Sequence, residues 1–192
     1  MEAWIEEAIV KDIGINRYNH SLRVMETALN LAKIYKANEE KVRVAALYHD
    51  CGKIREENNL LKRVSHFGII LDRIMENNRE LIHGPLGAKI AEFVYNINDG
   101  EILDAIYYHT TGRENMTLLD KIIYIADYIE PGRTFKGVEE IRELSYIDLD
   151  KSIMLAMDNT IKFLIEKNSL IHLDTIKARN HLKLISKSDS GF

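Results

Sequence analysis

Two stretches of this chain end alike, and that ending restricts how the chain can fold. Val42, Ala45, Ala46 and His49 fall at i, i+3, i+4 and i+7, and so do Ile102, Ala105, Ile106 and His109. That spacing is one face of an α-helix. In both, the face that turns small apolar residues toward a core also carries an imidazole at its end. Further stripes run through Leu22, Met25, Leu29 and Ala32, and through His20, Val24, Ala28 and Leu31. Asp127 shares a face with Ile123 and Tyr124. With two prolines among 192 residues and little strand-like alternation, the pattern predicts an all-α fold, a single compact helical bundle.

The punctuation supports this. The spacing predicts a helix over 16–36. Asn38 is placed as an N-cap, with Glu39 and Glu40 in the first turn. The helix it opens runs to His49-Asp50 and stops near Gly52. His83-Gly84-Pro85 reads as a break, then a helix with Pro85 at its first position. That helix is expected to run to Ile97 and end in Asn98-Asp99-Gly100, and a short one to follow over 101–109. Thr117 and Asp120 read as a capping box, with aspartate in place of the usual glutamate. The helix they open ends at Pro131-Gly132. Either Asp148 or Asp150 caps a long helix reaching Lys167. One domain over 1–185 and a polar tail over 186–192 are expected.

Composition excludes some functions. Hydrophobic and charged fractions of 46% and 29% are those of an ordinary globular chain. A net charge of -4 gives no basic footprint for a nucleic-acid polymer. The single cysteine, Cys51, permits no intrachain disulfide and fits a reducing compartment. Glu2, Glu6 and Glu7 stand where a signal peptide carries basic residues, and no apolar run is long enough for a membrane span. A cytoplasmic protein without membrane contact is expected, with a homodimer as the default oligomer.

His20, His49, Asp50, His83, His109 and Asp127 are the residues most in need of explanation. Several stand on core-facing stripes of separate helices, where burying them unpaired would be costly. A bound metal removes that cost, and helix bundles build metal sites in this way. Imidazole nitrogen and carboxylate oxygen suit a borderline or hard divalent ion. Such an ion commonly serves hydrolysis at phosphate. Taken singly, each residue has a plainer explanation. A lone histidine on an apolar stripe is usually a hydrogen-bonded core residue, and a His-Asp pair arises by chance. The whole ordered set points instead to a metal centre.

The flanking words carry a resemblance. Arg17-Tyr18-Asn19-His20-Ser21, His49-Asp50-Cys51-Gly52-Lys53 and His83-Gly84-Pro85-Leu86-Gly87-Ala88 come first. Tyr108-His109-Thr110-Thr111-Gly112-Arg113 and Ala126-Asp127-Tyr128-Ile129-Glu130-Pro131-Gly132-Arg133 follow. Together they resemble the HD-domain superfamily of metal-dependent phosphohydrolases, and within it the YqeK family of symmetrical dinucleoside tetraphosphatases. The match runs over 17–182. His-Gly-Pro stands where the family has His-Ala-Pro, and Cys51 and Gly52 fall where it varies.

The resemblance implies an HD-type helical bundle that cuts diadenosine tetraphosphate into two ADP. It implies an iron-type metal, with manganese, cobalt or zinc also suited, held by His20, His49, Asp50 and Asp127. His83 and His109 either complete a second metal site with Asp50 bridging or contact phosphate, so one or two ions bind. Asp50, His83, His109 and Lys53 are the implied catalytic groups. Arg17, Lys53, Arg113 and Arg133 are candidate cationic contacts for the phosphate chain, with Thr110 beside them and His172 lining the nucleotide pocket. For Arg17 and Arg113 a solvated surface charge is an equal alternative. His172 could equally be a turn residue. His66 and His181 match no ligand position, and Cys51 is read as packing. Two rival functions remain: another HD-type nucleotide phosphohydrolase, acting on a nucleoside monophosphate, a deoxynucleoside triphosphate or an alarmone, and a non-catalytic nucleotide-binding helical module.

Overall fold

The computed structural model describes residues 3–55 and 57–188. Among these it has eleven α-helices. The first six are α1 (Ala3–Ile13), α2 (Ile15–Tyr35), α3 (Glu39–Tyr48), α4 (Glu57–His66), α5 (Arg73–Asn77) and α6 (His83–Phe93). The remainder are α7 (Gly100–Tyr108), α8 (Leu118–Ile129), α9 (Val138–Ser145), α10 (Leu149–Glu166) and α11 (Leu173–Ser188). A single 3-10 turn, Arg79–Leu81, leads into α6.

The caps explain where the helices begin. Asn38 accepts from the Lys41 amide and starts α3. Thr117 and Asp120 form a complete capping box at the head of α8. Of the two candidates for α10, Asp148 is the cap, accepting from the amide of Lys151.

Two boundaries differ from the sequence expectation. Pro85 is the third residue of α6, because the 3-10 turn delivers the chain in helical conformation already at His83. The first i to i−4 bond there is donated by Leu86 to Ile82, so Pro85 lacks an N–H that no partner needs. The same helix stops at Phe93, not Ile97, because Asn96 takes the left-handed conformation at φ 55. At the other end, α11 continues through residues 186–188 of the expected tail; residues 189–192 lie outside the described residues.

α8 is the central helix. Ile122, Ile123, Ile125, Ala126 and Ile129 on it are fully buried. It packs on α2, α3, α7, α9 and α10. Each fully buried isoleucine contributes about 1.5–3 kcal/mol of apolar burial. α2 packs chiefly on α3, and α6 on α7.

Two glycines allow the close approach that gathers the polar residues. A Cβ at Gly52 would lie 2.1 Å from the His83 carbonyl oxygen and 2.6 Å from the Gly87 amide. The turn after Asp50 therefore rests directly on the first turn of α6. A Cβ at Gly84 would lie 2.4 Å from the Tyr107 carbonyl oxygen, so α6 in turn sits on the end of α7. Gly52, placed by the sequence at a variable position, is required here by backbone contact.

Candidate metal and phosphate centre

The end of α3, the start of α6, the end of α7 and the last turns of α8 meet α2 at one point. His49 and His109 are both the C-cap residue of their helix. Each folds its Nδ1 back to the carbonyl three residues earlier, His49 to Ala46 and His109 to Ile106, both at 2.7 Å. The repeated spacing in the sequence thus becomes a repeated geometry. His83 directs its Nδ1 to the carbonyl of Glu80. His20 directs its own to Glu130 Oε1 at 3.1 Å.

All four Nδ1 atoms face acceptors, an arrangement that suits a ring proton there and an Nε2 lone pair turned inward to a bound ion. The inward atoms crowd each other. Nε2 of His83 and His109 are 2.9 Å apart, and Nε2 of His20 is 3.0 Å from Asp127 Oδ1. With the protons on Nδ1, these are lone pairs facing lone pairs. The Nε2 atoms of His20 and His49 are buried without any hydrogen-bond partner. Buried polar atoms are rarely left so, and bound cations would satisfy them.

Asp50 lies between two halves of this set. Its Oδ2 is 3.6 Å from His20 Nε2, 3.5 Å from His49 Nε2 and 3.0 Å from the Arg17 guanidinium. Its Oδ1 is 3.3 Å from His83 Nε2 and 3.7 Å from His109 Nε2. Three ligand groups could each hold a divalent ion: His20, His49 and Asp50; His49, His109 and Asp127; and Asp50, His83 and His109. The donor set fits a metal, with a carboxylate placed to serve both halves.

The electrostatics agree with that use. Burial opposes charge on Asp50, yet with no ion between them a protonated His49 and a hydrogen bond from His109 hold it well below the usual carboxylate range. In the same ion-free state Asp127 is held low, against burial, by a hydrogen bond from His20 and by charge on His49. His83 is pushed down to about 3 by burial and by its neighbour His109, so its lone pair is available at neutral pH.

The other expected residues fall into two groups. Arg133 donates to Asp127 Oδ1 at 2.6 Å and to the Asp127 carbonyl at 2.9 Å. Thr110 Oγ1 is 3.2 Å from Nε2 of both His83 and His109. Lys53 stands at the rim of a small cleft with His83, Arg79 and Gly52, 3.3 Å from Glu80. These, with Arg17, surround the cluster.

Arg113 and His172 are held elsewhere. Arg113 is held by Asp120 and Asp104, each at 2.8 Å, with its guanidinium over the Tyr108 ring. His172 is buried against the N-cap of α5, 2.8 Å from Asp72 Oδ2. It ties the start of α11 to α5. His66 is exposed and His181 half-buried. The Cys51 thiol donates to the Gly87 carbonyl and is driven far up by burial, which makes it a packing group.

Sequence inspection missed Glu130. It is buried, and besides His20 it receives Arg23 Nε at 2.6 Å and the Gly132 amide at 2.7 Å. The signal was present, since Glu130 stands three residues after Asp127 in the word already quoted.

Comparisons with known proteins follow the same lines. A family model described as HD domain matches residues 17–132. A symmetrical bis(5'-nucleosyl)-tetraphosphatase of Halalkalibacterium halodurans is 43% identical over 172 residues, covering 90% of this chain and 91% of that protein. A protein of the same description from Bacillus subtilis is 41% identical over 180 residues, covering 92% of this chain and 96% of that one. A crystal structure from Clostridium acetobutylicum, described as a predicted HD superfamily hydrolase involved in NAD metabolism, matches with a TM-score of 0.90 and 46% identity. That likeness covers 97% of this chain and 99% of the other.

Proposed function

The chain belongs to the HD-domain family, and on that premise we propose that it hydrolyses dinucleoside tetraphosphates symmetrically, diadenosine tetraphosphate giving two ADP. The observation that carries this is the division of Asp50, with one oxygen toward His20 and His49 and the other toward His83 and His109. Such a centre can hold two adjacent phosphoryl groups at once, as cleavage between the inner phosphates requires. The substrate comes from the relatives of Halalkalibacterium halodurans and Bacillus subtilis, which are described by that activity.

His20, His49, Asp50 and Asp127 would hold the first ion, for which iron fits the donor set, with manganese, cobalt or zinc as alternatives. His83 and His109 would hold a second through the free oxygen of Asp50 or contact phosphate directly. Ions in these positions supply Lewis acidity, which makes water a better nucleophile at neutral pH and polarises a phosphoryl oxygen.

The residues themselves do the rest. Asp50 orients the attacking water through a carboxylate kept ionised. Arg17 and Arg133, each fixed on a carboxylate of the cluster, direct cationic charge toward the phosphate chain. Guanidinium suits phosphate through its planar fork. Lys53 and Arg79 add charge on the His83 side. Water adds to one inner phosphorus and releases its protons to solvent, the bond to the bridging oxygen breaks, and ADP leaves as an anion that these cations stabilise. No separate general acid is required. Arg113, engaged by Asp104 and Asp120, is not assigned a phosphate. A buried Cys51 outside any disulfide and a nucleotide substrate suit a cytoplasmic enzyme.

The test is a product analysis with diadenosine tetraphosphate under anaerobic conditions with ferrous iron. ADP as the only nucleotide product is expected. ATP with AMP would refute the symmetrical cut. No turnover, with hydrolysis of a nucleoside monophosphate or a deoxynucleoside triphosphate instead, would favour a different HD-type phosphohydrolase.

A further inference from the structure

A cleft of about 170 Å³ opens from the cluster on the side of His109 and Asp127. Its volume is below that of a whole-ligand pocket, roughly 300–1,000 Å³, and suits one part of a larger ligand. The wall nearest the cluster is polar, with Asp127, Arg133 and Thr110. Tyr124, Tyr128 and Phe135 give the cleft an aromatic lining as well.

Tyr124 is buried, and Thr160 lines the same cleft beside it. Thr160 in turn donates to the Ala156 carbonyl at 2.9 Å. Phe135 is different. It stands in the connection between α8 and α9, and is 40% exposed although wholly apolar. Its ring meets Tyr128 edge-on, with centroids 5.0 Å apart and planes at 74°. A perpendicular pair leaves a ring face free, and an exposed face beside a polar, cation-lined wall is poorly used by water.

We propose that Phe135 and Tyr128 form the nucleoside subsite, with the base of the substrate stacked on Phe135 while its phosphates extend past Arg133 onto the His–Asp cluster. This rests on the hydrolase function proposed above and adds the part of the substrate that the cluster cannot recognise. The two kinds of lining match the two parts of a nucleotide, an aromatic base and an anionic phosphate chain. Stacking accounts for binding because every base offers a π face.

The test compares ADP with inorganic pyrophosphate as calorimetric probes on the metal-loaded protein, for the parent chain and for Phe135→Ala and Phe135→Trp. Phe135→Ala should weaken ADP about 10–100-fold, leave pyrophosphate within about twofold and leave Tm and metal content unchanged. Phe135→Trp should restore ADP binding. With diadenosine tetraphosphate, Phe135→Ala should raise KM far more than it lowers kcat. ADP binding unchanged by Phe135→Ala would overturn the subsite, as would equal losses for ADP and pyrophosphate or no ADP binding by the parent chain. The probes also separate the two proposals. A parent chain that binds ADP in a Phe135-dependent way yet cleaves no diadenosine tetraphosphate would retain the subsite and refute the reaction.

Discussion

Glu130 and His20 form a carboxylate–imidazole pair, Oε1 to Nδ1 at 3.1 Å, on the side of the ring away from Asp127 and Asp50. The pair fixes the tautomer of His20 and aims Nε2 at the centre. Partners of this kind typically cost about 10–100-fold in metal affinity when lost. Glu130→Gln should weaken metal binding by about that factor, because one amide oxygen cannot serve His20, Arg23 and Gly132 as two carboxylate oxygens do. Metal titration of the apoprotein checks this, with Tm as the control for folding. Unchanged affinity would show that the ring is held by its packing alone.

The backbone contact at Gly52 gives a second prediction. Gly52→Ala places a methyl 2.1 Å from the His83 carbonyl oxygen, where no side chain can move aside. The turn bearing His49 and Asp50 must separate from α6. Stability should fall by about 2–4 kcal/mol, and kcat should fall with it. Gly100→Ala is the control, since its Cβ meets nothing within 4 Å and it opens α7. That variant should be neutral or slightly stabilising. Urea unfolding of both variants decides the matter.

The capping box at the head of α8 affects stability without touching chemistry. Thr117→Ala removes the acceptor for the Asp120 amide and should cost about 1 kcal/mol. For a domain of this size, that lowers Tm by about 2–4 °C. Metal content and kcat should be unchanged, because Asp127 lies at the opposite end of the helix. A large loss of activity would mean that the position of Asp127 depends on the whole length of α8.

A chain that gathers four imidazole Nε2 atoms and two carboxylates at one point should gain stability from an ion bound among them. Metal at about 100 times its Kd adds about 2.7 kcal/mol to the folded state, equivalent to roughly 5–10 °C in Tm. Removal with a chelator followed by calorimetry, with and without ferrous iron, measures it. A Tm indifferent to metal would contradict the role assigned to the cluster.

Much of this arrangement was legible in the sequence because it rests on local rules. The i, i+3, i+4, i+7 stripes placed His49 and His109 at helix ends facing inward, and both are there. The Thr117 cap and the helix from Leu149 depend on side chains adjacent to the helices they begin. What escaped notice depends on contacts between distant segments. Nothing near Gly52 in the chain reveals that the His83 carbonyl lies where a Cβ would go. Nothing near Arg113 shows that Asp104, one turn before the end of α7, reaches back to hold it. His172 binds Asp72, one hundred residues away, and no local pattern encodes that. Glu130 lay between these cases, visible in a recognised word but without a role until His20 was seen beside it.

In the proposed reaction Asp50 serves both halves of one metal and phosphate centre. The direct test of this is a single anaerobic measurement on Asp50→Ala and the parent chain, metal stoichiometry by elemental analysis alongside turnover of diadenosine tetraphosphate on the same samples. The variant should stay folded, lose its bound metal and lose about a thousandfold or more in kcat/KM, equal to about 4 kcal/mol of transition-state stabilisation. A variant that keeps its metal and turns over within tenfold of the parent would contradict it.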